Sequence, residues 1–107
     1  MEEGSLGLKT FFDCIFIDND DPNDNIEYPM KLDYYKVIGN QENVEAKYGL
    51  EVVKTEFIKG EVNVESKRVY NIATNENELE KILSILRNNE VTPFGMQDIL
   101  DEIVIKI

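Results

Sequence analysis

Residues 88–104 read NNEVTPFGMQDILDEIV, and how this stretch is read decides the fold. Thr92 followed by Pro93 carries two helix-start signals. Threonine is a good N-cap, and proline at the first helical position loses nothing by lacking an N–H. Met96, Ile99, Leu100 and Ile103 then recur on one helical face. Upstream, Leu79, Ile82, Leu83 and Leu86 form the same kind of stripe. Thr74 or Asn75 caps that first helix, and Asn75 with Glu78 three residues on suits a capping box. Asn88-Asn89 supplies the left-handed residue that ends it. Val91-Thr92-Pro93 is therefore a junction between two helices, with Val91 and Phe94 expected to pack into the core. Backbone N–H groups at a helix start can also hold an anion, but no basic residue lies nearby in sequence. The closing IVIKI, residues 103–107, is β-branched for a helix and either extends it, frays or pairs as a short strand.

Upstream of these helices the period changes from 3.6 to 2. Residues 10–17 read as a short β-branched and aromatic strand with apolar side chains on both parities. Such a strand is either buried on both faces or partly docked on a partner. Residues 18–27, DNDDPNDNIE, are a loop, because Asp, Asn and Pro favour turns. Met30, Leu32, Tyr34 and Ile38 mark a second strand whose alternation Lys36 interrupts, ending at Gly39-Asn40. Residues 48–58 form a third strand. Its apolar parity switches at Val52-Val53, which suggests a β-bulge near Val52. Lys59-Gly60 makes a tight turn. Residues 61–72 are the fourth strand, with Val62, Val64, Tyr70 and Ile72 on the face expected to be buried.

The chain has 107 residues, one domain by size, with 42% hydrophobic residues, which suits a folded core. Residues 30–107 make the sheet-and-helix body, and residues 1–29, a strand and an acidic loop, are peripheral to it. No apolar run reaches membrane-spanning length. The apolar stretch at residues 11–17 lacks the basic flank and cleavage site of a signal peptide. Cys14 is the only cysteine. With no partner within the chain, it points to a reducing cytoplasm and is expected in the core, where burial would make it inert.

Chemistry is sparse. Acidic residues number 22 against 11 basic ones, a net charge of −11, which is the reverse of a nucleic-acid or anionic-membrane footprint. There is no histidine, which removes the commonest general base and metal ligand. Asp18, Asp20, Asp21 and Asp24 invite a calcium reading, but Pro22 and Asn23 stand at loop positions 5 and 6, where the EF-hand needs an oxygen ligand and glycine. Gly4 and Gly7 make no phosphate loop. Asp98, Asp101 and Glu102 share part of a helix face and read as a solvated one. Lys67-Arg68 beside Tyr70 is a small candidate recognition spot.

The pair Tyr48-Gly49 opening a strand, and the junction Val91-Thr92-Pro93 between two helices, resemble a small uncharacterised family of clostridial and related Firmicute proteins, classed as a domain of unknown function. The likeness covers roughly residues 34–104. It implies a cytoplasmic Gram-positive protein and supplies no activity, cofactor or catalytic residue.

The expected fold is α+β: a three- to four-stranded antiparallel meander with two C-terminal helices packed on one face. The leading functional expectation is a non-enzymatic protein–protein interaction module without a cofactor or bound metal. Its partner is an unidentified protein or a second copy of the chain, met through the apolar ends: Phe11, Phe12, Ile15 and Ile17, with Ile103, Ile105 and Ile107. An acidic mimic of nucleic acid, blocking a nucleic-acid-binding protein, is the alternative. A small enzyme working through carboxylates comes third.

Overall fold

The computed structural model describes residues 8–17, 29–39 and 48–106, with side chains given for all of these except Leu8 and residues 104–106. The loop at residues 18–27 with its four aspartates, Gly4, Gly7, Asn40 and Ile107 lie outside the described residues.

Four strands, β1 (Leu8–Ile17), β2 (Met30–Ile38), β3 (Tyr48–Ile58) and β4 (Glu61–Ala73), precede two helices, α1 (Glu76–Asn88) and α2 (Met96–Lys106). The strands pair in chain order, each antiparallel to the next, in one open meander. This is the α+β class expected, with four strands. The β3–β4 turn is tight because Lys59 and Gly60 both take positive φ, 50° and 83°, the geometry that matches strand twist.

The core lies between one face of the sheet and the helices. Leu32 and Tyr34 of β2, Leu50 and Val52 of β3 and Ala73 of β4 meet Leu79, Ile82, Leu83 and Leu86 of α1 and Met96 and Leu100 of α2. Each buried aliphatic side chain contributes about 1.5–3 kcal/mol. Three polar contacts fasten α1 to this face. At its start, Lys36 Nζ lies 2.7 Å from both Glu76 and Glu80, and these carboxylates hold the ammonium above its ordinary range, Glu76 foremost. The lysine that interrupts the β2 alternation is thus on the core side but at its rim. On β1, Asp13 pairs with Arg87. Its carboxyl is held below the usual range first by the Cys14 N–H and then by Arg87. At the helix end, the buried Tyr34 hydroxyl donates to the Val91 carbonyl at 2.9 Å, with the Leu86 carbonyl at 3.4 Å. Burial drives this phenol far above its ordinary pKa, so it is a hydrogen-bond donor at any working pH.

The helix ends differ from expectation in detail. Asn75 is the cap of α1 and accepts from the Glu78 N–H at 2.8 Å, while the Glu78 carboxylate turns back to Thr74. At the other end the left-handed residue is Glu90 (φ 52°), not Asn88 or Asn89. Glu90 N–H donates to the Arg87 carbonyl and Val91 N–H to the Leu86 carbonyl, the paired bonds of a Schellman motif, with Val91 and Leu86 both in the apolar core. Pro93 does not open α2. Residues 93–95 form a turn, bridged by Met96 N–H to the Pro93 carbonyl, and the helix begins at Met96. Val91 is buried as expected, but Phe94 is 94% exposed, because the turn swings it outward.

Two irregularities decide which side chains reach the core. In β1 the pairing slips between Phe11 and Asp13. The extra residue puts Phe12, Ile15 and Ile17 against the core and leaves Phe11, Cys14 and Phe16 opposite Tyr35, Asp33 and Lys31 on the other face. Cys14 is exposed, which corrects the core assignment. In the β3–β4 ladder the slip lies between Tyr48 and Leu50, where Leu50 pairs with Val69 but Tyr48 with Ala73. Asn71 takes φ 56° there. That bulge turns Ile72 and Ala73 to the core, while Val62, Val64 and Tyr70 are exposed on the far face, the reverse of their expected burial. Near Val52 the β2–β3 and β3–β4 pairing is regular. The parity switch arises because the core face ends there: Lys54 follows Val52 on that side and pairs with Glu65 at 3.3 Å.

Gly49 sits inside the second bulge. A Cβ there would come within 2.3 Å of the Val69 carbonyl oxygen, a backbone atom that cannot rotate away. Gly49→Ala is therefore expected to lower the unfolding free energy by about 2–4 kcal/mol, read as a fall in the urea midpoint. An unchanged midpoint would show that the ladder has slack at this point. Glu90→Gly should act in the opposite direction. It relieves a left-handed non-glycine residue and should raise stability by about 0.5–1 kcal/mol after the added unfolded-state entropy; a loss of stability would refute the strain at Glu90.

Candidate interaction surface

Helices cover one face of the sheet, and among the described residues nothing covers the other, the open face. Its side chains follow from the register. Across the sheet run Phe11, Tyr35, Glu51 and Arg68; then Cys14, Asp33, Val53 and Ser66; then Phe16, Lys31, Thr55 and Val64. Phe57 and Val62 form the last pair. Six of the eight large hydrophobic side chains exposed among the described residues lie here: Phe11, Phe16, Phe57, Val62, Val64 and Tyr70. Phe16 is 59% and Val64 61% exposed. Concentration of this kind on one face, unlike scattered surface leucines, marks a contact surface.

The face has a polar centre and an apolar end. At the centre Glu51, its side chain only 10% exposed, accepts from Arg68 at 2.6 and 2.8 Å and from Lys9 at 3.4 Å. Glu51 holds the Arg68 guanidinium above its ordinary pKa. Lys9 also lies 4.4 Å from the Tyr35 ring centroid and Arg68 6.0 Å from that of Tyr70, both within cation–π range. Phe11 meets Tyr35 edge-on at 5.8 Å. The cations and rings thus form a braced lattice over Glu51. Beside it, Lys31 pairs with Asp33 at 3.7 Å. At the apolar end, the Phe16 and Phe57 rings lie 6.5 Å apart, reaching across the intervening β2, and Val62 and Val64 extend the patch.

The residues expected to form the contact surface separate. Phe11 alone of the β1 set is on the open face. Phe12, Ile15 and Ile17 pack against the core, as does Ile103 of α2. The Ile105 side chain and Ile107 lie outside the described residues. Arg68 and Tyr70 from the candidate recognition spot do share the open face, while Lys67 pairs with Val52 on the other. Phe16 and Phe57 each carried a signal in the sequence, the double parity of β1 and the parity switch of β3, while Val62 and Val64 carried the alternation of β4, which does not say which face is covered.

A concavity of about 710 Å³ runs between the helices, with Ile82, Ile85 and Ile103 as its apolar wall and Glu78, Lys81 and Glu102 at its margin. Ile103 is the last residue of α2 whose side chain is described. Among the described residues no three metal-ligating side chains converge, and no helix is long and apolar enough to cross a membrane.

Searches of curated proteins and of solved structures found no match. The family of unknown function DUF6514 matches residues 15–106, a span that runs from within β1 to the end of α2. It takes in the bulge glycine, the helix junction and nearly all of the open face, and the chain belongs to that family.

Proposed function

We propose that this protein is a non-enzymatic interaction module that docks on a protein partner, a different chain or a second copy of its own, through the open face of its sheet. The observation that carries the reading is the gathering of Phe11, Phe16, Phe57, Val62, Val64 and Tyr70 on one uncovered face. Aromatic side chains offer large contact area at low entropic cost, and such residues dominate the energetics of protein interfaces. The braced lattice around Glu51 adds rigidity, so little order has to be gained on binding. A nucleic-acid ligand is disfavoured by the net charge of −11, which repels phosphate over distances longer than the local cations act. A cytoplasmic setting belongs to the same proposal, because an exposed lone thiol such as Cys14 stays reduced there.

The test is affinity capture from a native extract of the source organism, comparing the natural protein with the double variant Phe16→Glu, Val64→Lys. Both positions are exposed, so the variant should fold. A charge placed in an apolar contact costs about 2 kcal/mol or more, roughly 30-fold in affinity. The expected outcome is a defined protein held by the natural chain and lost from the variant. Capture of the same proteins by both would remove the open face from the account.

A further inference from the structure

We propose that the occupant of the open face is a second copy of this chain, the two sheets stacking face to face about a two-fold axis. The inference rests on the open face being the docking surface and adds who docks there. Charge is the first argument. Every charged side chain on the face, among the described residues, already has a partner in its own chain: Lys9 and Arg68 with Glu51, and Lys31 with Asp33. A strongly acidic or basic partner would find no free charge to pair with, whereas a second, equally neutralised face loses nothing by meeting it.

The second argument is the placement of the remaining acids. With a net charge of −11, two copies repel unless their carboxylates are kept apart. Among the described residues, the acids outside this face lie on the helices or turned to the helix side of the sheet, as with Glu76, Glu80, Asp98, Asp101, Glu56 and Glu65. In a stacked dimer these groups sit behind the two sheets. Charges separated by more than about 8–10 Å are largely screened at ordinary ionic strength. Among the described residues, the open face is thus the route by which two chains approach with only the paired Asp33 and Glu51 carboxylates between them.

The third argument is area. Four strands spaced at about 4.8 Å, with nine residues in β2 rising about 3.3 Å each, give a face of roughly 600 Å². Two such faces bury on the order of 1,200 Å², the lower limit of a stable specific interface. Stacked sheets lie about 10 Å apart, a gap that Phe11, Phe16, Phe57, Val64 and Tyr70 fill from both sides. A contact of that size and composition is expected to be dimeric at micromolar concentration and to dissociate on dilution.

Cys14, exposed on this face and the chain's only cysteine, reports on its cover. Purified protein is examined by light scattering over a concentration series, with the rate of Cys14 modification by a thiol reagent read in parallel. The expected result is a mass rising from 12.4 kDa to twice that value, with Cys14 modification slowing several-fold over the same range. Phe16→Glu, Val64→Lys should remain monomeric and evenly reactive, with an unchanged circular dichroism spectrum. A monomer at every concentration overturns the inference, and so does a dimer that survives the double substitution or leaves Cys14 reactive, since either places the contact at a strand edge or on the helices. If the natural chain is monomeric yet a captured protein shields Cys14, self-stacking fails and the interaction-module reading stands.

Discussion

The Tyr34 hydroxyl is the point on which the helix layer depends. It rises from the second strand into the core and meets the backbone where α1 ends, at the carbonyls of Val91 and Leu86. A helix end leaves carbonyls without intrahelical donors, and burying one unpaired costs about 1–3 kcal/mol. Here the N–H groups of Asn89, Glu90 and Val91 serve the Ile85, Arg87 and Leu86 carbonyls, and the phenol serves the buried Val91 carbonyl just past the helix. The chain then turns through the buried Val91 and Pro93 into α2. The Schellman motif stops α1, and the tyrosine ties the segment that follows to the sheet, which sets the direction in which the last helix leaves.

Fixing the helices on one face defines the other. The sheet has apolar side chains enough for both sides, and two bulges sort them. The slip at Phe12 sends three β1 side chains to the core and three to the open face. The slip opposite Gly49 lets β4 give Ile72 and Ala73 to the core while Val62, Val64 and Tyr70 face outward. The outcome is a two-layer protein with most of its described acids on the helix side and a neutralised aromatic surface on the open side. That asymmetry is the physical basis of the interaction-module proposal.

Much of the fold was legible in the sequence. The stripe from Leu79 to Leu86 and the Lys59-Gly60 turn are local signals, and local chemistry settled them. The helix stripe of Met96, Leu100 and Ile103 held, but its start moved because Pro93 closes a turn instead of a helix. The alternation of Val62, Val64 and Tyr70 correctly placed them on one face. It carried no information on whether helices cover that face, which depends on where α1 lies. Asn71, whose left-handed backbone separates Tyr70 from Ile72, has no distinctive neighbours in sequence. Cys14 looked like a core residue by its apolar company, and only the Phe12 slip turns it outward. The candidate contact residues suffered the same limit: a lone strand with apolar side chains on both parities does not say which of them a tertiary layer will claim. The Glu51 lattice joins residues from all four strands, a convergence that only the register reveals.

The most direct measurement is the urea unfolding of Tyr34→Phe, which deletes one oxygen and keeps the ring in the core cluster. If the hydroxyl anchors α1, the unfolding free energy falls by about 1–3 kcal/mol at an unchanged denaturant slope. Amides of the α1 terminus and of α2 should then exchange with solvent faster than those of the sheet. A variant as stable as the natural chain, with α2 equally protected, would contradict the account: the helix layer would then be held by apolar packing alone.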